Sequence, residues 1–112
     1  MTLKNALWSV AIYAVSVSTG QAFEGKCLLE VRGHIYLSGT CNIDNSHDTL
    51  SIGTGDRARS KYFAFVSVGS DGTAQGYWNG VASEDRAGEE LGKLRRSGAC
   101  WINDYARVCA WR

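Results

Sequence analysis

The residues of this chain best placed to do chemistry are its four cysteines, Cys27, Cys41, Cys100 and Cys109. An even set in a small exported domain reads as two disulfides. A zinc site needs tight C-x-x-C spacing or a histidine at a ligand offset, and His34 and His47 stand at none, so no metal is expected. Thiols held in disulfides cannot act as nucleophiles. Ser46, His47 and Asp48 have the residue types of a hydrolytic triad, but as neighbours in one polar run they lack the strained elbow that presents a serine. They read as surface loop residues, and a small hydrolase using His47 with Asp44 or Asp48 is the weakest of the functions considered. Asp44, Asp48, Asp56, Asp71 and Asp104 all fall in predicted turns, where Asp bonds its own backbone, and they form no evident pair for glycoside hydrolysis. Asp44, Asn45 and Asp48 could offer oxygens to calcium, without the spacing of an EF-hand loop. No Gly-rich phosphate loop is present. The expectation is therefore no catalytic residue and no cofactor.

Aromatic residues beside polar ones are the stronger signal. Tyr77, Trp78 and Asn79 stand between Gly76 and Gly80, and Trp101, Tyr105 and Trp111 crowd the last stretch of the chain. Such side chains stack on sugar rings or anchor protein interfaces, where Trp, Tyr and Arg are favoured. They also fill small cores, and Trp101 beside Cys100 leans toward that role. Lys93, Arg95, Arg96, Arg107 and Arg112 form a loose basic group suited to an anionic glycan, a carboxylate or an acidic protein face, or simply to a solvated helix end. The candidate binding residues are Tyr77, Trp78, Arg96, Trp101, Tyr105 and Trp111.

These side chains need a scaffold, and the scaffold begins with what is removed. Lys4 precedes an uncharged run from Ala6 to Val17, and Gly20 and Ala22 occupy the −3 and −1 positions of a cleavage site. That is the pattern of an export signal, and the run is too short for a membrane-spanning helix. No Arg pair precedes it, and Phe23 rather than a cysteine stands directly after the cleavage point, so the twin-arginine and lipoprotein routes have no support. Residues 1–22 are thus expected to be a cleaved signal peptide and residues 23–112 a single secreted or periplasmic domain without a membrane span. The chain's 12 Lys and Arg include Lys4; without it the mature domain balances its 11 Asp and Glu. A near-neutral domain is a poor general nucleic-acid binder.

Residues 27–41 (CLLEVRGHIYLSGTC) flank Arg32-Gly33-His34 with apolar segments, a hairpin signal. A hairpin centred on His34 sets Cys27 opposite Cys41, Leu29 opposite Gly39 and Val31 opposite Leu37, all on one face, with Glu30, Tyr36 and Ser38 on the other. Leu50 and Ile52 suit a short strand. Residues 61–68 (KYFAFVSV) are the strongest strand, and residues 73–79 return from a turn at residues 69–72. Residues 99–112 form a third hairpin with Cys100 opposite Cys109. The simplest pairing is 27–41 with 100–109, although two other pairings are open to four cysteines. Residues 84–96 predict the one helix. Ser83 is its N-cap, acidic residues come first and basic ones last, and Ala87, Leu91 and Leu94 make an apolar stripe. Gly88 and Gly92 weaken it by about 1 kcal/mol each. The expected fold is α+β: an antiparallel, disulfide-stapled sheet of three hairpins and five to seven strands, with one packed helix.

The stretch Ser97-Gly98-Ala99-Cys100-Trp101 resembles the Ser-Gly-x-x-Tyr loop of periplasmic inhibitors of c-type lysozyme, with Trp in place of Tyr. The resemblance covers those five residues. It implies a small exported β-rich domain that blocks an enzyme. The leading expectation is accordingly a non-catalytic binding or inhibitory module of the cell envelope, whose partner is an envelope or extracellular protein or glycan. If it inhibits an enzyme, Trp101, Arg96 and Tyr105 are expected near the contact. A carbohydrate- or peptidoglycan-binding domain using Tyr77, Trp78 and Trp111 is the second expectation, and a structural envelope protein is not separable from the first.

Overall fold

The computed structural model describes residues 21–112. The export signal assigned to residues 1–22 lies outside the described residues except for Gln21 and Ala22, which open the first strand.

The domain is all-β. Eight strands follow one another: β1 (Gln21–Val31), β2 (His34–Ser46), β3 (Thr49–Ile52), β4 (Ala64–Val68), β5 (Ala74–Trp78), β6 (Glu89–Ser97), β7 (Cys100–Ile102) and β8 (Ala106–Trp111). Each pairs antiparallel with the next, and β8 pairs back onto β1 from Lys26↔Trp111 to Val31↔Ala106, closing a barrel. Closure removes both open sheet edges. Cys27, Leu29 and Val31 of β1 are buried, while Glu24 and Lys26 before them and Glu30 among them alternate to the outer face. Ile43, Ile52, Val66, Leu91, Leu94 and Val108 fill the interior from the other strands. An apolar inside and a charged outside is the reverse of a membrane-spanning barrel.

The α+β expectation is overturned, because no helix occurs among the described residues and residues 89–97 are the strand β6. Its physical cause is a β-bulge. Gly76 of β5 faces Gly92, but the next residue, Tyr77, faces Glu90, so Leu91 has no partner across the ladder. The extra residue slips the alternation by one and turns both Leu91 and Leu94 inward. That three-residue spacing is what the sequence presents as a helical stripe. Gly92 adopts φ 86°, which a residue with a side chain rarely takes. Opposite, Gly76 leaves the space both leucines occupy; a Cβ there would lie 2.6 Å from Leu94 Cδ1. The order also forces the outcome: without β6, the edges of β5 and β7 would stand unpaired.

Both disulfides form as the simplest pairing expects, Cys27–Cys41 and Cys100–Cys109. They differ in place. Cys100 directly faces Cys109, on the opposite side of the strands from buried Trp101 and Val108. In the first hairpin the turn sits at Arg32-Gly33, so Cys27 faces Gly39 and Cys41 faces Gly25. The bridge therefore runs diagonally inside the barrel, with Cα atoms 6.0 Å apart. A second bulge explains the shifted register: Leu29 faces Leu37 but Glu30 faces Ile35, leaving Tyr36 as the extra residue. Tyr36 consequently packs against the core rather than sharing an outer face with Glu30.

Candidate functional site

The meander gives the barrel two ends. One end carries the start of β1, the end of β8 and the short turns at residues 47–48, 69–73 and 98–99. The other carries the β1–β2 and β7–β8 turns and two long connections, residues 53–63 and 79–88.

At the short-turn end lies a cleft of about 480 Å³. Phe23, Ile43, Leu50, Val68 and Trp101 give it an apolar floor, and Trp111, Arg96, Arg112, His47 and Asp48 stand around it. The β6–β7 hairpin positions the central group. Arg96 is paired with Trp101 across the ladder, and its guanidinium lies 5.5 Å from the indole centroid. Arg96 Nε donates to the Gly98 carbonyl at 2.7 Å, which holds the guanidinium over the turn. Trp101 is buried at 7 % exposure, whereas Trp111 is 43 % exposed. The Arg112 guanidinium lies 4.3 Å from the Phe23 ring centroid. The Cys100–Cys109 bridge ties the base of this hairpin to β8.

Of the candidate binding residues, the fold thus brings Arg96, Trp101 and Trp111 to one rim. Trp78 lies at the opposite end, 6 % exposed and tilted at 56° against Tyr36. Tyr77 alternates with it and faces outward. Tyr105 stands in the β7–β8 turn at the loop end, with the Arg32 guanidinium 4.6 Å from its ring. Tyr77, Trp78 and Trp111 do not share a surface. Among the basic residues, Arg107 pairs with Glu30 at 2.9 Å on the outer wall. Arg95 and Lys93 are exposed on β6, so only Arg96 and Arg112 reach the cleft.

His47 and Asp48 form the β2–β3 turn, His47 with φ 52°. Both line the short-turn cleft, while Asp44 lines a separate groove with Ala22, Phe23 and Glu24. The three calcium candidates are therefore divided between two surfaces. No cluster of three or more metal-ligating side chains occurs among the described residues.

Sequence inspection missed Phe23, Tyr36 and Tyr62, and read Asn79 as a polar neighbour of the aromatics rather than as a buried clamp. Phe23 and Tyr36 reach their places through strand pairing and a bulge, neither visible in local pattern. Asn79 carried a signal, since it sits between Trp78 and Gly80 where a strand must end. It is 2 % exposed. Its Oδ1 accepts from the Phe63 backbone at 3.0 Å, and its Nδ2 donates to the carbonyls of Lys61, Val81 and Glu84. Arg57 completes the same clamp, donating to the carbonyls of Ala82, Glu84 and Lys61 and pairing with Asp85.

The chain matches no protein-family model, no curated protein and no solved structure.

Proposed function

We propose that this protein is a non-catalytic binding module of inhibitory type that works in the cell envelope, as a secreted or periplasmic domain, and grips a protein partner with its short-turn end. The observation that carries this is the convergence of Arg96, Trp101, Trp111, Phe23 and Arg112 on one cleft from β1, β6, β7 and β8. Trp and Arg around an apolar depression are the composition of interface hot spots. The site is preorganised: the arginine is held by a carbonyl, and a disulfide crosses the neighbouring strands. Preorganisation lowers the entropy that binding must overcome. Two disulfides suit an oxidising compartment. Cleavage after Ala22 would add a free α-amine on Phe23 at this same rim.

The Ser97–Trp101 stretch, which resembles the loop of c-type lysozyme inhibitors, is the β6–β7 turn that borders the cleft. A lysozyme-like hydrolase is therefore the first partner to try. The test is lysis of a peptidoglycan suspension by c-type lysozymes and envelope hydrolases with the oxidised mature protein added. Inhibition is expected, and Trp111→Ala or Arg96→Ala should weaken it about tenfold or more, as hot-spot truncation does. Inhibition indifferent to both substitutions, or no complex with any such enzyme at micromolar concentration, overturns the proposal.

A further inference from the structure

The loop end holds a second cleft that the proposed partner surface does not use. Its volume is about 530 Å³, within the range of roughly 300–1,000 Å³ common for small-ligand sites. Tyr36 and Trp78 build one wall, their ring centroids 4.6 Å apart, with Tyr62 and His34 also beside the Tyr36 ring at 5.0 and 4.4 Å. The β1–β2 bulge is what turns Tyr36 into this position. Arg32, Arg86, Glu84 and Glu89 stand around the rings. The carboxylate of Glu84 is engaged by the backbone amides of Asp85 and Arg86. The charged groups of Arg86 and Glu89 have no hydrogen-bond or ion-pair partner among the described residues, and the Arg32 guanidinium only covers the Tyr105 ring. Beside them, Asn79 and Arg57 hold the backbone carbonyls of Val81, Ala82 and Glu84.

We propose that this cleft binds a pyranose unit of a glycan. The mixture of charges decides the class of ligand. A phosphate or carboxylate drawn to Arg32 and Arg86 would meet Glu89, and an ammonium drawn to Glu89 would meet the two guanidiniums. A purely apolar ligand would strip water from all three without replacing its hydrogen bonds. A sugar ring satisfies every group. Its C–H face packs on Tyr36, and its hydroxyls both donate to a carboxylate and accept from a guanidinium.

The experiment is amide NMR mapping of the oxidised mature protein titrated with an N-acetylglucosamine tetramer and, separately, a soluble peptidoglycan glycan fragment. Saturable shifts are expected in residues 32–36 and 78–89. Tyr36→Ala and the exposed Arg86→Ala should each raise the dissociation constant about tenfold, and Trp111→Ala should leave it unchanged. Arg86→Ala is at the surface and keeps the test valid should Tyr36→Ala unfold the domain. No shifts with either saccharide up to about 10 mM, a generous limit for a weak site, overturn the proposal. So do shifts confined to Arg96–Trp101 and Trp111. The first outcome leaves the lysis assay untouched, whereas the second assigns the short-turn rim to glycan and counts against its protein partner as well, so the two proposals fail distinguishably.

Discussion

The two ends of the barrel are ordered by different means. At the short-turn end, side chains sit where the ladder puts them: Arg96 opposite Trp101, Phe23 opposite Ile43, Cys100 opposite Cys109. At the loop end, two connections too long for the ladder to control are held by side chains. Asn79 and Arg57 bind mostly backbone carbonyls, and Phe63 N–H completes the set. A turn of two to five residues needs little beyond its own conformation, whereas a connection of ten or more leaves backbone groups that something must satisfy. The difference teaches where each end is vulnerable: one through its strands, the other through two polar residues.

The sharpest way to break this contrast is Asn79→Ala. Removing a buried amide that serves the Phe63 amide and three carbonyls is expected to cost about 2–4 kcal/mol in urea unfolding. Hydrogen exchange in residues 79–88 should rise, while the Arg96–Trp101 hairpin keeps its protection. A loss below about 1 kcal/mol would mean the loop end does not depend on its clamp. Between the two ends, Gly92→Ala tests the bulge that sets β6. An alanine forced to positive φ is expected to lose about 1–2 kcal/mol in the same assay. An unchanged midpoint would mean the strand re-registers without the bulge. At the short-turn end, Trp111→Ala should change stability by no more than about 0.5 kcal/mol, because the ring is largely exposed, while partner binding falls. A large stability loss would make Trp111 part of the core and weaken its role at the interface.

The smallest effect concerns the 69–73 turn. Hydrogen bonds from the Thr73 hydroxyl and backbone amide, at 2.7 and 3.0 Å, hold the Asp71 carboxyl below its usual pKa. A depressed folded-state pKa contributes stability above the unfolded value and loses it as pH falls through the folded one. Asp71→Asn should therefore slightly flatten the acid side of the stability profile, below pH about 4, and leave neutral pH nearly unchanged. Thermal unfolding across pH 2 to 7 of both proteins checks this, with identical profiles counting against the Thr73 contacts.

Much of the strand framework was legible from local pattern. Residues 27–41, 61–79 and 99–112 show turn residues between apolar segments, and the last of these has the register expected of it. The Cys27–Cys41 bridge was also expected, but through direct opposition; the turn at Arg32-Gly33 makes it diagonal instead. Residues 84–96 misled because a bulged strand and a helix can both bring Leu91 and Leu94 to one face. The candidate site was legible only in part. Arg96 and Trp101 lie in one hairpin, so sequence proximity could join them, whereas Phe23 and Trp111 meet them only when β8 closes on β1.

By itself, the sequence determined the antiparallel hairpins, the pairing partners that hairpin geometry favours, and the alternation that buries Cys27, Leu29 and Val31. Those are matters of period two, turn chemistry and short-range reach. Only the tertiary structure decided that the sheet closes, that residues 89–97 complete it as a strand, and that the aromatics divide between two ends. Closure is set by the unpaired edges of β5, β7, β8 and β1, and an edge is satisfied only by strands that the whole fold brings beside it.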